Sequence, residues 1–146
     1  MFRVTLAATA VLISLAACSD DSSAPAATVA ATADAASGSG AAATVISPAE
    51  GKELLESGTE LTLIDVRTPV EFAEGHIEGA VNSDIEGGAF SAFIADLDKD
   101  ATYVVYCRSG RRSALAAQAM VSAGFTHVYD LGGIVDWQAA GYPVVQ

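Results

Sequence analysis

The chain has 146 residues, 51% of them hydrophobic, and eighteen acidic side chains against seven basic ones set its formal charge at −11. Such a field repels polyanions and excludes nucleic acid or an anionic lipid surface as its partner. Two cysteines are too few for a disulfide scaffold, and no Cys-x-x-Cys pair, metal-ligand cluster, phosphate-binding glycine motif or other cofactor signature occurs, so neither cofactor nor metal is expected.

In chain order, Met1-Phe2-Arg3 puts one positive charge ahead of a short apolar run, Val4 to Ala17, interrupted by Thr5, Thr9 and Ser14. That run is too short to span a bilayer but suits the apolar segment of a signal peptide. Its ending, Leu15-Ala16-Ala17-Cys18, resembles the lipobox of bacterial lipoproteins. The resemblance implies cleavage after residue 17 and lipidation of Cys18, with the protein held at the periplasmic side of a membrane through that lipid alone. Multiple acyl chains anchor stably where one is marginal. Ser19 after the cysteine, in place of aspartate, points to the outer rather than the inner membrane. The alternative is an ordinary cleaved signal that leaves Cys18 as a free thiol. Residues 18–43 are rich in Ala, Ser, Thr, Gly and Asp with hardly a large apolar side chain, the composition of a flexible tether. Some 25 such residues reach about 25–30 Å.

Residues 44–146 form one domain of about 100 residues, enough for a core of its own. Thr44-Val45-Ile46 reads as a short strand. Ser47-Pro48-Ala49-Glu50 is a capping box with proline at the first helical position, and the helix it opens ends near Ser57, stopped by Gly58. Leu61 to Val66 is almost continuously apolar, as in a strand covered on both faces. Thr68-Pro69-Val70-Glu71 repeats the capping pattern for a short helix closing at Gly75. Val81-Asn82 is a third strand, Phe90 to Leu97 a helix, Tyr103 to Tyr106 a fourth strand and Ser113 to Ala123 its helix, stopped by Gly124. His127 to Tyr129 and Ile134 to Ala140 complete the alternation. Strands alternating with helices imply a parallel sheet with helices on both faces, in which ligands gather at the carboxyl ends of the strands.

One such end carries the most informative residues. The apolar run Val104-Val105-Tyr106 stops at Cys107, and Arg108, Ser109, Gly110, Arg111 and Arg112 lead into the helix. Three of the seven basic residues lie within those five positions. A thiol at a helix N-terminus meets unpaired N–H groups and the positive end of the helix dipole. An ordinary cysteine is only about 3% thiolate at neutral pH, and the thiolate is the nucleophile. Making it the majority form needs a shift of about two units, or roughly 2.7 kcal/mol. A helix terminus supplies about 0.3–2 kcal/mol, so the arginines are needed too. Gly110 lets the loop turn its amides inward as an anion nest. An inert buried cysteine beside a basic turn would explain neither the arginines nor the position. With Cys18 lipidated, Cys107 has no partner for an intrachain disulfide, which marks it as reactive or intermolecular.

Four segments together carry a family resemblance: Ile64-Asp65-Val66-Arg67-Thr68-Pro69-Val70-Glu71-Phe72, Gly75-His76-Ile77-Glu78-Gly79-Ala80-Val81-Asn82, Cys107 to Arg112, and Gly132-Gly133 before Trp137. In this order they resemble a single-domain rhodanese over essentially all of 44–146. The resemblance implies an α/β fold, a five-stranded parallel sheet between helices. It also implies transfer of a sulfane sulfur from thiosulfate or a related anionic donor, by way of a Cys107 persulfide, to a thiophilic acceptor such as cyanide or a thiol. The amides of residues 108–112 would then cradle the terminal sulfur. Arg108 and Arg112 are expected to face the donor and Arg111 to be solvated. Asp65 and Arg67, on the same rim, are expected to pair locally in a supporting role. Glu71 is expected as a helix cap, His76 as a residue ordering its own turn, His127 at the surface, Trp137 in the core, and Gly132-Gly133 where backbone approaches the active loop.

Two alternatives remain open from the sequence. A persulfide carrier or binding module, serving an acceptor protein, would keep the cysteine without turning over. A cysteine phosphatase needs an arginine six positions after the cysteine, and Ser113 stands there, with Arg112 one place early.

Overall fold

The structure, a computed structural model, describes residues 42–146. The leader, Cys18 and the tether up to residue 41 lie outside the described residues. Among the described residues ten elements alternate: β1 (Thr44–Val45), α1 (Pro48–Glu56), β2 (Leu61–Asp65), α2 (Pro69–Glu74), β3 (Val81–Asn82), α3 (Phe90–Ala95), β4 (Thr102–Cys107), α4 (Arg111–Ser122), β5 (His127–Gly133) and α5 (Ile134–Ala139). Every strand pair is parallel, in the order β1-β5-β4-β2-β3, which puts β4 at the centre.

Local chemistry sets the helix starts. Ser47 and Thr68 both close complete capping boxes, accepting from the N–H of Glu50 and Glu71 while those carboxylates accept from the cap N–H groups. Proline follows at the first helical position in each, where its missing N–H costs nothing.

Both sheet faces are covered. Ile64, Val105 and Cys107 pack with Phe90 and Ile94 of α3 and Ala116, Ala117 and Met120 of α4. Leu63, Val104 and Tyr106 pack on the other face with Ile134 and Trp137 of α5, against Leu54 and Leu55 of α1. The two-residue period of the pleat thus divides β4 between two cores, which is why its sequence is an unbroken apolar run. The Trp137 indole lies within the second core and donates to the Pro143 carbonyl at 3.0 Å. His127 is exposed at the start of β5.

Three boundaries differ by two residues or more from the sequence expectation. β5 runs on to Gly133 because a bulge opposite Val105 and Tyr106 inserts Leu131, carrying pairing to Gly132 and Gly133. α4 begins at Arg111, two residues before Ser113, and α3 stops at Ala95. The early start of α4 moves Ser113 from the helix edge into its first turn, where it is fully buried.

Candidate active site

Cys107 ends the central strand with 1% of its surface exposed, and it is the free cysteine among the described residues. The chain then turns sharply. Gly110 adopts φ +93°, a conformation that strains any residue with a Cβ, and this aims its N–H at Cys107 Sγ, 3.1 Å away. Ser113 also approaches the thiol, its Oγ 3.8 Å from the sulfur. That hydroxyl has one proton and faces two carbonyls, Gly110 O at 2.9 Å and Gly132 O at 3.2 Å. Ser113 therefore ties the loop to the β5 bulge beneath the thiol, at the position where a phosphatase would need arginine.

The glycine pair of β5 sets the depth of the loop. A Cβ on Gly133 would stand 2.7 Å from Arg108 O and 2.9 Å from Ser109 Cα, so only glycine lets the loop lie this close. The N–H of Val135, in the first turn of α5, donates to Arg108 O at 3.3 Å, which locks the loop from that side.

The arginines have separate fates. Arg108 is exposed and, among the described residues, has no carboxylate within ion-pair distance. Arg111 is solvated, with 74% of its side chain exposed and a loose 3.5 Å contact to Glu86. Arg112, expected to face the donor, directs its guanidinium to Glu71 instead, in a bidentate pair with both bonds at 2.8 Å, and touches Glu86 at 3.2 Å. Fork matches carboxylate here, the geometry in which arginine pairs best. The hydrogen bonds from Arg112 hold the Glu71 carboxyl down to about 2, against its partial burial and helped by the Thr68 cap. The same bonds push Arg112 up. Glu71 thus caps α2 and anchors α4 at once. Neither Glu86 nor the second task of Glu71 has a local sequence signal, because the partners are 26 and 41 positions apart.

Asp65 and Arg67 form a buried pair below the rim. The guanidinium contacts Asp65 at 2.6 Å and donates to Gly75 O at 2.7 Å, and it lies 5.8 Å above the Tyr106 ring. The Tyr106 hydroxyl accepts from the Ile77 N–H at 3.1 Å, while burial and then the charge of Asp65 push its own ionisation up. His76 stacks on Phe72, contacts Phe72 O through Nδ1 at 3.1 Å, and exchanges backbone bonds with Val145 at 2.8 Å each way. These contacts order its own turn and close the C-terminus over it. A cleft of about 350 Å³ opens on this rim, lined by Arg67, Glu71, Glu74, Arg108 and Ile134 among others.

A family model described as a rhodanese-like domain matches residues 47–140. A "Thiosulfate sulfurtransferase GlpE" of Pseudomonas aeruginosa is 38% identical over 99 residues, which is 67% of this chain and 86% of that protein. The "Probable adenylyltransferase/sulfurtransferase MoeZ" of Mycobacterium tuberculosis is 46% identical over 96 residues, 63% of this chain; the match spans about a quarter of that longer protein. Among solved structures, a rhodanese-related protein from Thermoplasma volcanium aligns over 70% of this chain and 97% of its own, at 33% identity and a TM-score of 0.61.

Proposed function

The chain belongs to the rhodanese family, and from that premise we propose that it is a sulfurtransferase that carries a sulfane sulfur as a persulfide on Cys107. The observation that supports this reading best is the thiol at the end of the central strand with the Gly110 N–H aimed at its sulfur. Donors preorganised around one atom stabilise charge that develops there without reorganising during reaction.

The reaction runs in two displacements. Ionised Cys107 attacks the outer sulfur of the donor; the new Sγ–S bond forms as the donor's S–S bond breaks, and with thiosulfate the electron pair leaves on sulfite. A thiophilic acceptor, cyanide or a thiolate, then attacks the terminal sulfur, and the pair returns to Cys107. Loop amides hold the terminal sulfur between the two steps. Arg108, the loop arginine with no carboxylate partner among the described residues, meets the anionic donor. Splitting the transfer in this way is covalent nucleophilic catalysis and gives ping-pong kinetics.

Cys18 belongs to the same proposal. Its lipobox context supports a lipid anchor that holds the catalytic domain on a tether at the periplasmic face, outer membrane rather than inner, and the mass of the mature N-terminal peptide tests it. For the chemistry, the domain is incubated with thiosulfate and weighed intact. One added sulfur atom, absent in Cys107→Ser and removed by cyanide with release of thiocyanate, is expected. No addition would leave a binding module. Loading that cyanide cannot discharge would leave a carrier.

A further inference from the structure

Glu86 stands in the loop between β3 and α3, outside every segment that carries the family resemblance. Its backbone N–H is held by the Asp84 carboxylate at 2.8 Å, and Gly87 and Gly88 follow. From there the side chain reaches both outer arginines of the active loop, Arg111 at 3.5 Å through Oε1 and Arg112 at 3.2 Å through Oε2. Just over half of it is exposed. Such a rim contact is weak enough to be displaced, yet its charge stays at the mouth whether or not the contact is made.

We propose that Glu86 sets the charge of the sulfur donor: its carboxylate lies against Arg111 and the Nη1 edge of Arg112 beside the active loop, adds a negative charge at the approach to Cys107, and so favours donors with at most one negative charge over dianions such as thiosulfate. This rests on the sulfur-transfer reading above. The balance of charge at the mouth carries it. Arg67 is matched by Asp65, Arg112 by Glu71, and Arg111 by Glu86. Glu74 and Arg108 both line the cleft. Three guanidinium groups are thus paired with carboxylates, and the fourth, Arg108, shares its cleft with the charge of Glu74, within a chain that is strongly acidic elsewhere. A mouth with no net positive charge is poorly suited to a dianion. Glu86 acts through the arginines and is a positioning residue.

The size of the effect follows from Coulomb's law. Two unit charges about 6 Å apart in a water-like medium change a binding constant about threefold. Removing the Glu86 charge should therefore raise kcat/KM about threefold for a monoanionic donor and roughly ninefold for a dianion, with the change in KM. Thiosulfate and an alkanethiosulfonate form a matched pair, since both donate an outer sulfur from an oxidised sulfur centre and differ by one charge.

The experiment compares the full chain, Glu86→Gln and Glu60→Gln, a control at the opposite, amino-terminal edge of β2. Two readouts are taken at low and high salt: the thiosulfate to thiosulfonate ratio of kcat/KM, and the ratio of Cys107 alkylation rates by iodoacetate and iodoacetamide. Both ratios should rise about threefold in Glu86→Gln, stay constant in Glu60→Gln, and converge at high salt as screening grows. An unchanged alkylation ratio, or equal gains on both donors, overturns the proposal. Absence of sulfur transfer in all three proteins would count against the sulfurtransferase reading; the alkylation ratio needs no sulfur transfer and would still decide the role of Glu86.

Discussion

Replacing Gly133 by alanine adds one methyl group at the tightest point of the site. The backbone there is extended, φ −109° and ψ 137°, so alanine suffers no conformational strain, and the smaller entropy of its unfolded chain favours folding by about 0.4–1 kcal/mol. Against this stand two contacts below 3.0 Å, and both are to the backbone of Arg108 and Ser109, which cannot rotate away. Inserting a methyl group into a packed site costs about 1–3 kcal/mol. The net loss is then about 1–2 kcal/mol, a fall in Tm of roughly 4–15 °C for a domain of this size. Relief can come only by lifting the loop off β5, which also draws the Gly110 N–H away from Cys107. Sulfur loading from thiosulfate, followed by intact mass, should slow at least tenfold at a temperature where the variant is fully folded. Gly132→Ala is the contrast: nothing lies within 4 Å of its Cβ, but its φ of +79° disfavours alanine, so it should lose about 1–2 kcal/mol of stability with a smaller effect on loading. Loading at the wild-type rate in Gly133→Ala would refute the reasoning.

Acid should expose the Glu71–Arg112 pair. The Glu71 carboxyl titrates at about 2 when folded against 4.5 ordinarily, so the unfolded chain takes up its proton first. The stabilisation is complete above pH 4.5 and disappears as the pH falls toward 2. Solvent screening leaves about 1 kcal/mol of it, and denaturant midpoints of Glu71→Gln should be flatter than wild type across that window while loading persists. Ser113→Ala removes the hydroxyl that ties Gly110 to Gly132. Because the Ala114 N–H also serves Gly110 O, the stability cost should be only about 1 kcal/mol, whereas the loading rate should fall several-fold and be restored in part by Ser113→Thr. A larger stability loss with unchanged loading would remove Ser113 from the site.

Much of this protein is written in short-range pattern. The two capping boxes, the prolines at first helical positions, the unbroken apolar runs of β2 and β4, and the cysteine where β4 ends are each settled within a few residues, because hydrogen bonding at helix starts and side-chain alternation in strands are local. That was enough to expect the alternating fold and to place Cys107 on the carboxyl rim. The fates of the arginines were of another kind. Three guanidinium groups in five residues look alike in sequence, and what separates them is which carboxylates the fold carries past each: Glu71 from α2 for Arg112, Glu86 from the loop after β3 for Arg111, and for Arg108 none among the described residues. The bulge that extends β5 beside the loop, and the earlier start of α4 that sinks Ser113 beneath the sulfur, likewise depend on elements meeting across the sheet. Such contacts join residues tens of positions apart, so only the closed fold could decide them.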